Sequence, residues 1–279
     1  MPLGNVGIGY LNRLKSATLS GGSWSSSLNN LKDTDISNTA RSTDANTTST
    51  KVLVDLGAVY NLWIWAMVHH NLSQTAMLRI SFGTSLGATD VYAGSWQSAW
   101  AMTFGSENVP WEANNFWGIN GPRGRPFMVH AWADQVYQAR YAVIEFQDTS
   151  NADGYVEFTH AYLGDVFKPA KGVPYDGYGT GRPDMSVVQE SDNGNIKVHK
   201  RRIKKTSTFT MDEIPTGEVG TIDYIKTYIG SGNPILYVPN CNDWQETQRD
   251  GMIGYLQPMA DMAYPFFAKR AQPFSVKEM

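Results

Sequence analysis

The chain has 279 residues, enough for one large β domain or two modest ones. Hydrophobic residues make up 42% and charged residues only 18%, so Ser, Thr, Asn and Gly must carry much of the surface, which excludes a helical bundle built from Glu, Lys and Leu. A net charge of -3 gives no global attraction to nucleic acid or to an anionic membrane, and the lone Cys241 excludes a disulfide framework or a paired-cysteine metal site.

The opening stretch, Met1 to Gly9, has neither a basic flank nor a long apolar core, so it is not expected to be a signal peptide. No apolar run approaches the ~20 residues of a membrane span. Gly7 and Gly9 form a GxG without a third glycine or a following helix signal, and read as glycines flanking a strand. Lys51 to Gly57 alternates and is expected to stop at its glycine. Leu62 to Val68 alternates too, with both faces apolar, as in a central strand covered on both sides. Ala76 to Phe82, Pro126 to Ala133, Ala139 to Phe146 and Gly154 to Leu163 complete the first set of strands. Val54, Leu56, Ile64, Val68, Ile80, Val143 and Phe146 are the expected core. Residues 1–165 therefore read as one domain.

Residues 166–186 hold too many glycines and prolines for a strand interior and read as a linker or arm, with Tyr175 and Tyr178 laid against protein. Residues 187–279 read as a second, smaller unit. Asn195 to Met211 is a long strand or half of a bent hairpin. Thr216 to Ile229 fits a helix, with Thr216 as N-cap, Val219, Ile222, Ile225 and Ile229 on one face, and Gly230 at its end. Pro234 to Pro239, Gly251 to Met259 and Pro273 to Met279 supply further strands. The fold class is mainly β: an N-terminal sandwich and a smaller C-terminal antiparallel sheet with one helix.

Catalytic constellations are missing. No GxSxG, HExxH, GxxxxGK[ST] or CxxC occurs, and no catalytic residue, metal or cofactor is expected. Cys241 reads as a buried, inert thiol. His69 and His70 are adjacent on a strand end and point to opposite faces, so they do not chelate one metal. Asp148 to Gly154 faintly resembles a calcium loop but lacks the downstream glutamate, and reads as an Asx-rich turn. Glu107, Glu112, Glu145 and Glu157 are the carboxylates from which a glycosidase would draw its pair.

Two features stand out. Four of the nine tryptophans, Trp96, Trp100, Trp111 and Trp117, crowd one poorly periodic stretch. They fill a loop-covered core, anchor a protein interface or stack on sugar rings. The run Lys197 to Lys205 puts Lys200, Arg202 and Lys204 on one strand face and Arg201 and Lys205 on the other. Such a strand is solvated or meets an acidic partner, and would meet nucleic acid only by lining a DNA channel.

Trp24, Leu28, Leu31, Ala40-Arg41-Ser42, Val52 to Gly57, His70 to Ser73, Leu78-Arg79-Ile80 and Ala139 to Asp165 together resemble a discoidin-type, galactose-binding-like jelly roll of phage virion proteins. Lys200 to Lys205, Thr216 to Ile229, Pro234 to Pro239, Gly254-Tyr255-Leu256 and Ser275 to Glu278 are similar to the sheet-and-helix part of siphophage distal tail proteins. The resemblance implies a non-catalytic structural protein of the virion, made in the host cytoplasm. It implies a hexameric ring of its own copies at the tail tip or baseplate, joining the tail tube protein to hub or tail fibre proteins, with no membrane partner. Arg201, Arg202, Lys204, Tyr175 and Tyr178 are then the expected interface. The alternative is a carbohydrate-binding adhesin module that reads a bacterial surface glycan through the tryptophans.

Overall fold

The computed structural model describes residues 6–100, 128–174, 178–190, 193, 195–258, 261–266 and 269–279. Trp111, Trp117, Glu107, Glu112 and Tyr175 lie outside these residues. In chain order the strands are β1 (Gly7–Gly9), β2 (Thr18–Ser20), β3 (Ala40–Arg41), β4 (Val52–Val68), β5 (Met77–Gly83), β6 (Gln97–Ser98), β7 (Val129–Gln147), β8 (Glu157–Phe158) and β9 (His160–Gly164). Then come β10 (Gly179–Gly181), β11 (Val187–Glu190), β12 (Ile196–His199), β13 (Thr206–Ile214), β14 (Pro234–Val238), β15 (Met252–Leu256), β16 (Ala263–Phe266) and β17 (Lys269–Glu278). The α-helices are α1 (Thr216–Tyr224) and α2 (Trp244–Asp250). The protein is mainly β, as expected. No described helix is long and apolar enough to cross a membrane.

Two compact units divide the chain. The larger holds Gly7–Lys168 and Ile235–Ile253; the smaller holds the remainder. The sequence reading put Ile235 to Ile253 in the smaller unit. Instead this segment returns to the larger one, where β14 pairs with β1 from Gly7↔Val238 to Gly9↔Leu236.

The larger unit is a curled antiparallel jelly roll built around β4 and β7. Here the expected break at Gly57 does not occur: Val52 to Gly57 and Leu62 to Val68 belong to one strand, as do Val129 to Ala133 and Ala139 to Phe146. Gly57 adopts φ +76°, which a Cβ disfavours, and the β4–β7 register shifts between Asp55 and Tyr60 and again between Leu62 and Ile64. Bulges of this kind bend a strand pair without ending it. The first half of β4 therefore pairs with β2 and the second half with β9. The two long strands thus have different outer neighbours along their two halves, β2 and β5 on one and β9 on the other. The bend is tied by Asp55, which accepts from the Gly57 amide at 2.8 Å and from Arg140 at 2.7 and 2.8 Å. The Arg140 guanidinium holds the Asp55 carboxyl down at about 2.

All seven expected core residues are buried. Phe158 lies at the centre, 5.3 Å from Phe146, 5.8 Å from Trp24 and 6.5 Å from Trp65. Gly7 and Gly9 pack closely: a Cβ at Gly7 would stand 2.7 Å from the Cys241 sulfur, and one at Gly9 would stand 2.6 Å from Tyr162. Cys241 is buried, and burial pushes its thiol up to about 12.

In the smaller unit β17 pairs with β13, β15 and β16, and β10 joins β13. Phe209 and Phe274 stack at 5.4 Å in its core. The expected helix is present as α1, extended by a π-helical turn over Ile225–Ile229 and closed at Gly230. Its N-cap is Pro215 instead of Thr216, which already lies inside the helix. The described residues of 166–186 include one short strand, β10, and Tyr178 is half-buried there.

The long strand expected from Asn195 to Met211 is divided. β12 ends at His199, β13 begins at Thr206, and Lys200 to Lys205 run between them outside any ladder. A strand with cations on both faces has no apolar side to bury, so the run leaves the sheet. Arg202 is half-buried and donates to Glu278 of its own chain at 2.9 Å, while the same carboxylate accepts from the Lys205 amide at 2.8 Å. Lys204 is also half-buried, and Arg201 is exposed.

Candidate functional site

The outer face of the larger sheet carries a lateral row of side chains. Met77 pairs with Ser98 and Leu78 with Gln97, so the register sets Trp96 beside Arg79. Arg79 is directly opposite Glu145 across β5 and β7. Val52 opposite Ile144 brings Lys51 beside Glu145 on the far side. Opposed residues on neighbouring strands point to one face, so four segments distant in sequence supply one line: aromatic, cation, anion, cation.

The contacts follow that order. The Arg79 guanidinium lies 4.6 Å over the Trp96 ring, within cation–π range. Arg79 donates to Glu145 at 2.6 Å, and Lys51 reaches the other carboxylate oxygen at 3.6 Å. The Glu145 side chain is 11% exposed, against 35% and 33% for its two cations. The carboxylate is thus the buried anchor and the cations form the wet rim. Trp96 is held by the segment before it, where Gly94 donates to the Ser81 hydroxyl at 3.1 Å. A Cβ on Gly94 would fall 1.9 Å from the Ile80 carbonyl oxygen, so only glycine lets this segment lie on β5. Gly94→Ala is expected to cost about 1–3 kcal/mol of stability by forcing the segment away from β5. Urea denaturation checks it, and an unchanged midpoint would show that the segment gives way freely.

The other sequence candidates are placed differently. Trp100 is buried; its indole donates to the Leu72 carbonyl at 3.3 Å and its ring meets His70 at 5.3 Å. It is a core residue. His70 is buried and its Nδ1 accepts from the Leu72 amide, whereas His69 is half-buried with φ +55°. The stretch Asp148 to Gly154 folds as an Asx-rich turn. Asp148 accepts from the Ser73 amide at 2.9 Å and from Asn151 at 2.8 Å, and Gly154 adopts φ +73°. Donors thus occupy the oxygens a cation would need. Among the described residues no group of three or more His, Cys, Asp or Glu is arranged to hold a metal. Glu145 and Glu157 are engaged by separate arginines, Arg79 and Arg41. A hydrolytic pair facing one bond is not what this arrangement offers.

Sequence reasoning did not select Arg79 or Lys51 as site residues. Their role depends on lateral register, which no local pattern carries. It also missed a second aromatic group, in which Trp63 stacks on Trp132 at 5.4 Å and the Lys168 ammonium lies 3.7 Å over Trp63. His130 lies beside it, 5.1 Å from Trp132 and 6.2 Å from Trp244 of α2.

No protein-family model matches this sequence, and no curated protein matches it. Solved structures similar to it include CBM32-1 from a family 31 glycoside hydrolase of Clostridium perfringens. That likeness has a TM-score of 0.35 and 13% identity, and covers 56% of this chain and 99% of that one. The family 32 CBM from C. perfringens NanJ, solved in complex with galactose, gives a TM-score of 0.34 and 12% identity, covering 57% of this chain and 98% of that one. A serum F-lectin from striped bass, Morone saxatilis, gives a TM-score of 0.35 and 9% identity, covering 95% and 92%. The reading of the site rests on its own geometry.

Proposed function

We propose that the larger unit is a carbohydrate-binding module without catalytic activity, and that it contacts sugar along the row Trp96, Arg79, Glu145 and Lys51. The observation that carries this is the row itself: an aromatic side chain, two cations and a carboxylate aligned on one sheet face. A sugar ring has an apolar C–H face and a rim of hydroxyls. An aromatic ring suits the first, and charged hydrogen-bonding groups suit the second. Rigid strands set the spacing, which limits the ordering cost of binding.

The test is retention of the full chain on a panel of bacterial surface polysaccharides, by affinity electrophoresis and glycan array. Trp96→Ala is expected to weaken binding by about 2 kcal/mol, roughly thirtyfold, while Tyr228→Ala in the smaller unit leaves it unchanged. The reading fails if the wild-type chain binds no glycan of the panel, or if Trp96→Ala binds as wild type does.

A second reading is an assembly subunit of a phage tail tip, resident in the virion between tail tube protein and hub or fibres. One observation favours it: the smaller unit carries the exposed two-stranded ribbon of β11 and β12. Labelling of intact particles with an antibody to this chain, at the tail tip or nowhere, decides it.

A further inference from the structure

The charges of the row Trp96, Arg79, Glu145 and Lys51 do not balance. Arg79 and Lys51 bring two positive charges and Glu145 one negative, which leaves the row at +1. The flanking positions of the same sheet face do not cancel it. The ladder sets Met77 opposite Gln147 on one side of the row, and Ser81 and Leu53 opposite Val143 on the other. All five are uncharged residues.

Both cations keep capacity to bind. Arg79 donates to Glu145 through Nε, and among the described residues its two Nη groups have no hydrogen-bond partner. The Trp96 ring, 4.6 Å from the guanidinium, restrains it, so a half-exposed fork of donors is set before any ligand arrives. Lys51 stands 3.6 Å from Glu145, too far for a good hydrogen bond, and a third of its side chain is exposed. Glu145 is the least accessible of the three, so an approaching ligand meets the cations first. The two cations converge on the two oxygens of this one carboxylate, which brings them near enough for a single ligand group to bridge them.

We infer that the glycan taken by this row is acidic, built from sugars that carry a ring carboxylate. That carboxylate accepts from the Arg79 Nη groups and from the Lys51 ammonium. A planar carboxylate fits the guanidinium fork, and its single negative charge matches the single positive charge in excess. A neutral sugar would leave that charge without a counterpart. The inference rests on the sugar-binding reading of the row and adds to it the charge of the ligand.

Affinity electrophoresis of the full chain tests it, with polygalacturonate, alginate, hyaluronate and polysialic acid as probes, each beside its carboxyl-reduced, neutral form. At least one acidic polymer is expected to bind about tenfold more tightly than its reduced form, with the difference narrowing as salt rises. Lys51→Glu turns the row from +1 to -1 and is expected to remove that preference. Lys51→Gln removes only the charge and is expected to lose part of it; this variant decides the matter if circular dichroism shows the first to be misfolded. Lys200→Glu with Arg201→Glu, in the exposed basic run, is expected to leave the preference intact. Equal binding of acidic and reduced polymers would overturn the inference and leave the sugar-binding reading standing. Binding of no polymer, acidic or neutral, would sink both. A preference that survives both Lys51 substitutions, that vanishes with Lys200 and Arg201, or that dextran sulfate satisfies equally well would assign the attraction to polyanions in general and overturn the inference.

Discussion

Phe158→Ala is expected to lower the stability of the larger unit by about 3–5 kcal/mol, the range for deleting a large aromatic side chain from a packed core. Phe158 is fully buried and contacts rings from three separate parts of the chain: Trp24 before β3, Trp65 on β4 and Phe146 on β7. Trp24 and Trp65 meet it edge-on, at interplanar angles of 87° and 86°. These geometries add to simple burial. Truncation leaves a void that neighbours cannot fill, since Trp65 and Phe146 are anchored on paired strands. The loss is a large part of the ~5–15 kcal/mol that stabilises an ordinary domain. The measurement is urea denaturation followed by tryptophan fluorescence. A loss below about 1 kcal/mol would mean that the site collapses around the smaller side chain. Phe158→Leu keeps much of the volume and is expected to lose less.

Acid is expected to destabilise the larger unit through His130. This residue is 1% exposed, and neither ring nitrogen has a hydrogen-bond partner among the described residues. Burial favours its neutral form and pushes its pKa from the ordinary 6.5 down to about 3. The unfolded chain takes up a proton near pH 6.5; the folded protein does so only near pH 3. Between those values the unfolded state holds the extra proton. Stability is therefore full above about pH 6.5, falls by about 1.4 kcal/mol per pH unit as pH drops through the window, and levels off below about pH 3. Burial lowers the His160 pKa as well, although a contact with the Asp33 carbonyl opposes the shift. Both histidines steepen the same acid limb. Asp55 adds to it only at lower pH, because its depressed pKa contributes stability that is lost between the ordinary carboxylate range and about 2. His130→Leu replaces an unsatisfied buried polar ring by an apolar side chain. It is expected to fold at neutral pH and to show a shallower loss between pH 6 and pH 4. Urea midpoints across that interval measure it. Equal slopes for variant and wild type would show that His130 does not govern the acid limb.

Much of the fold is legible in the residues. Val52, Val54 and Leu56 alternate with half-exposed neighbours, and the all-apolar stretch from Leu62 to Val68 is buried on both faces. The helix from Thr216 is equally plain, because its apolar residues recur at helical spacing and glycine follows. Cys241 and the Asx-rich turn after Asp148 were readable from composition alone.

The site was only half legible. Trp96 and Glu145 are conspicuous residue types, yet Arg79 and Lys51 became their neighbours only once β6, β5, β7 and β4 were aligned. Trp96 and Trp100 look alike in sequence, four residues apart, but one lies on the sheet surface and the other under it.

What the sequence determined by itself is what short-range physics controls: alternation, helical spacing, turn chemistry and the excess of cations in one run. Only the tertiary structure decided that β4 continues through Gly57, that Ile235 to Ile253 returns to the first unit, and that Arg202 is bound by Glu278. Each of these outcomes compares pairings between residues far apart in the chain. Their free-energy differences arise from loop closure, burial and charge pairing together, and no window of neighbouring residues contains those terms.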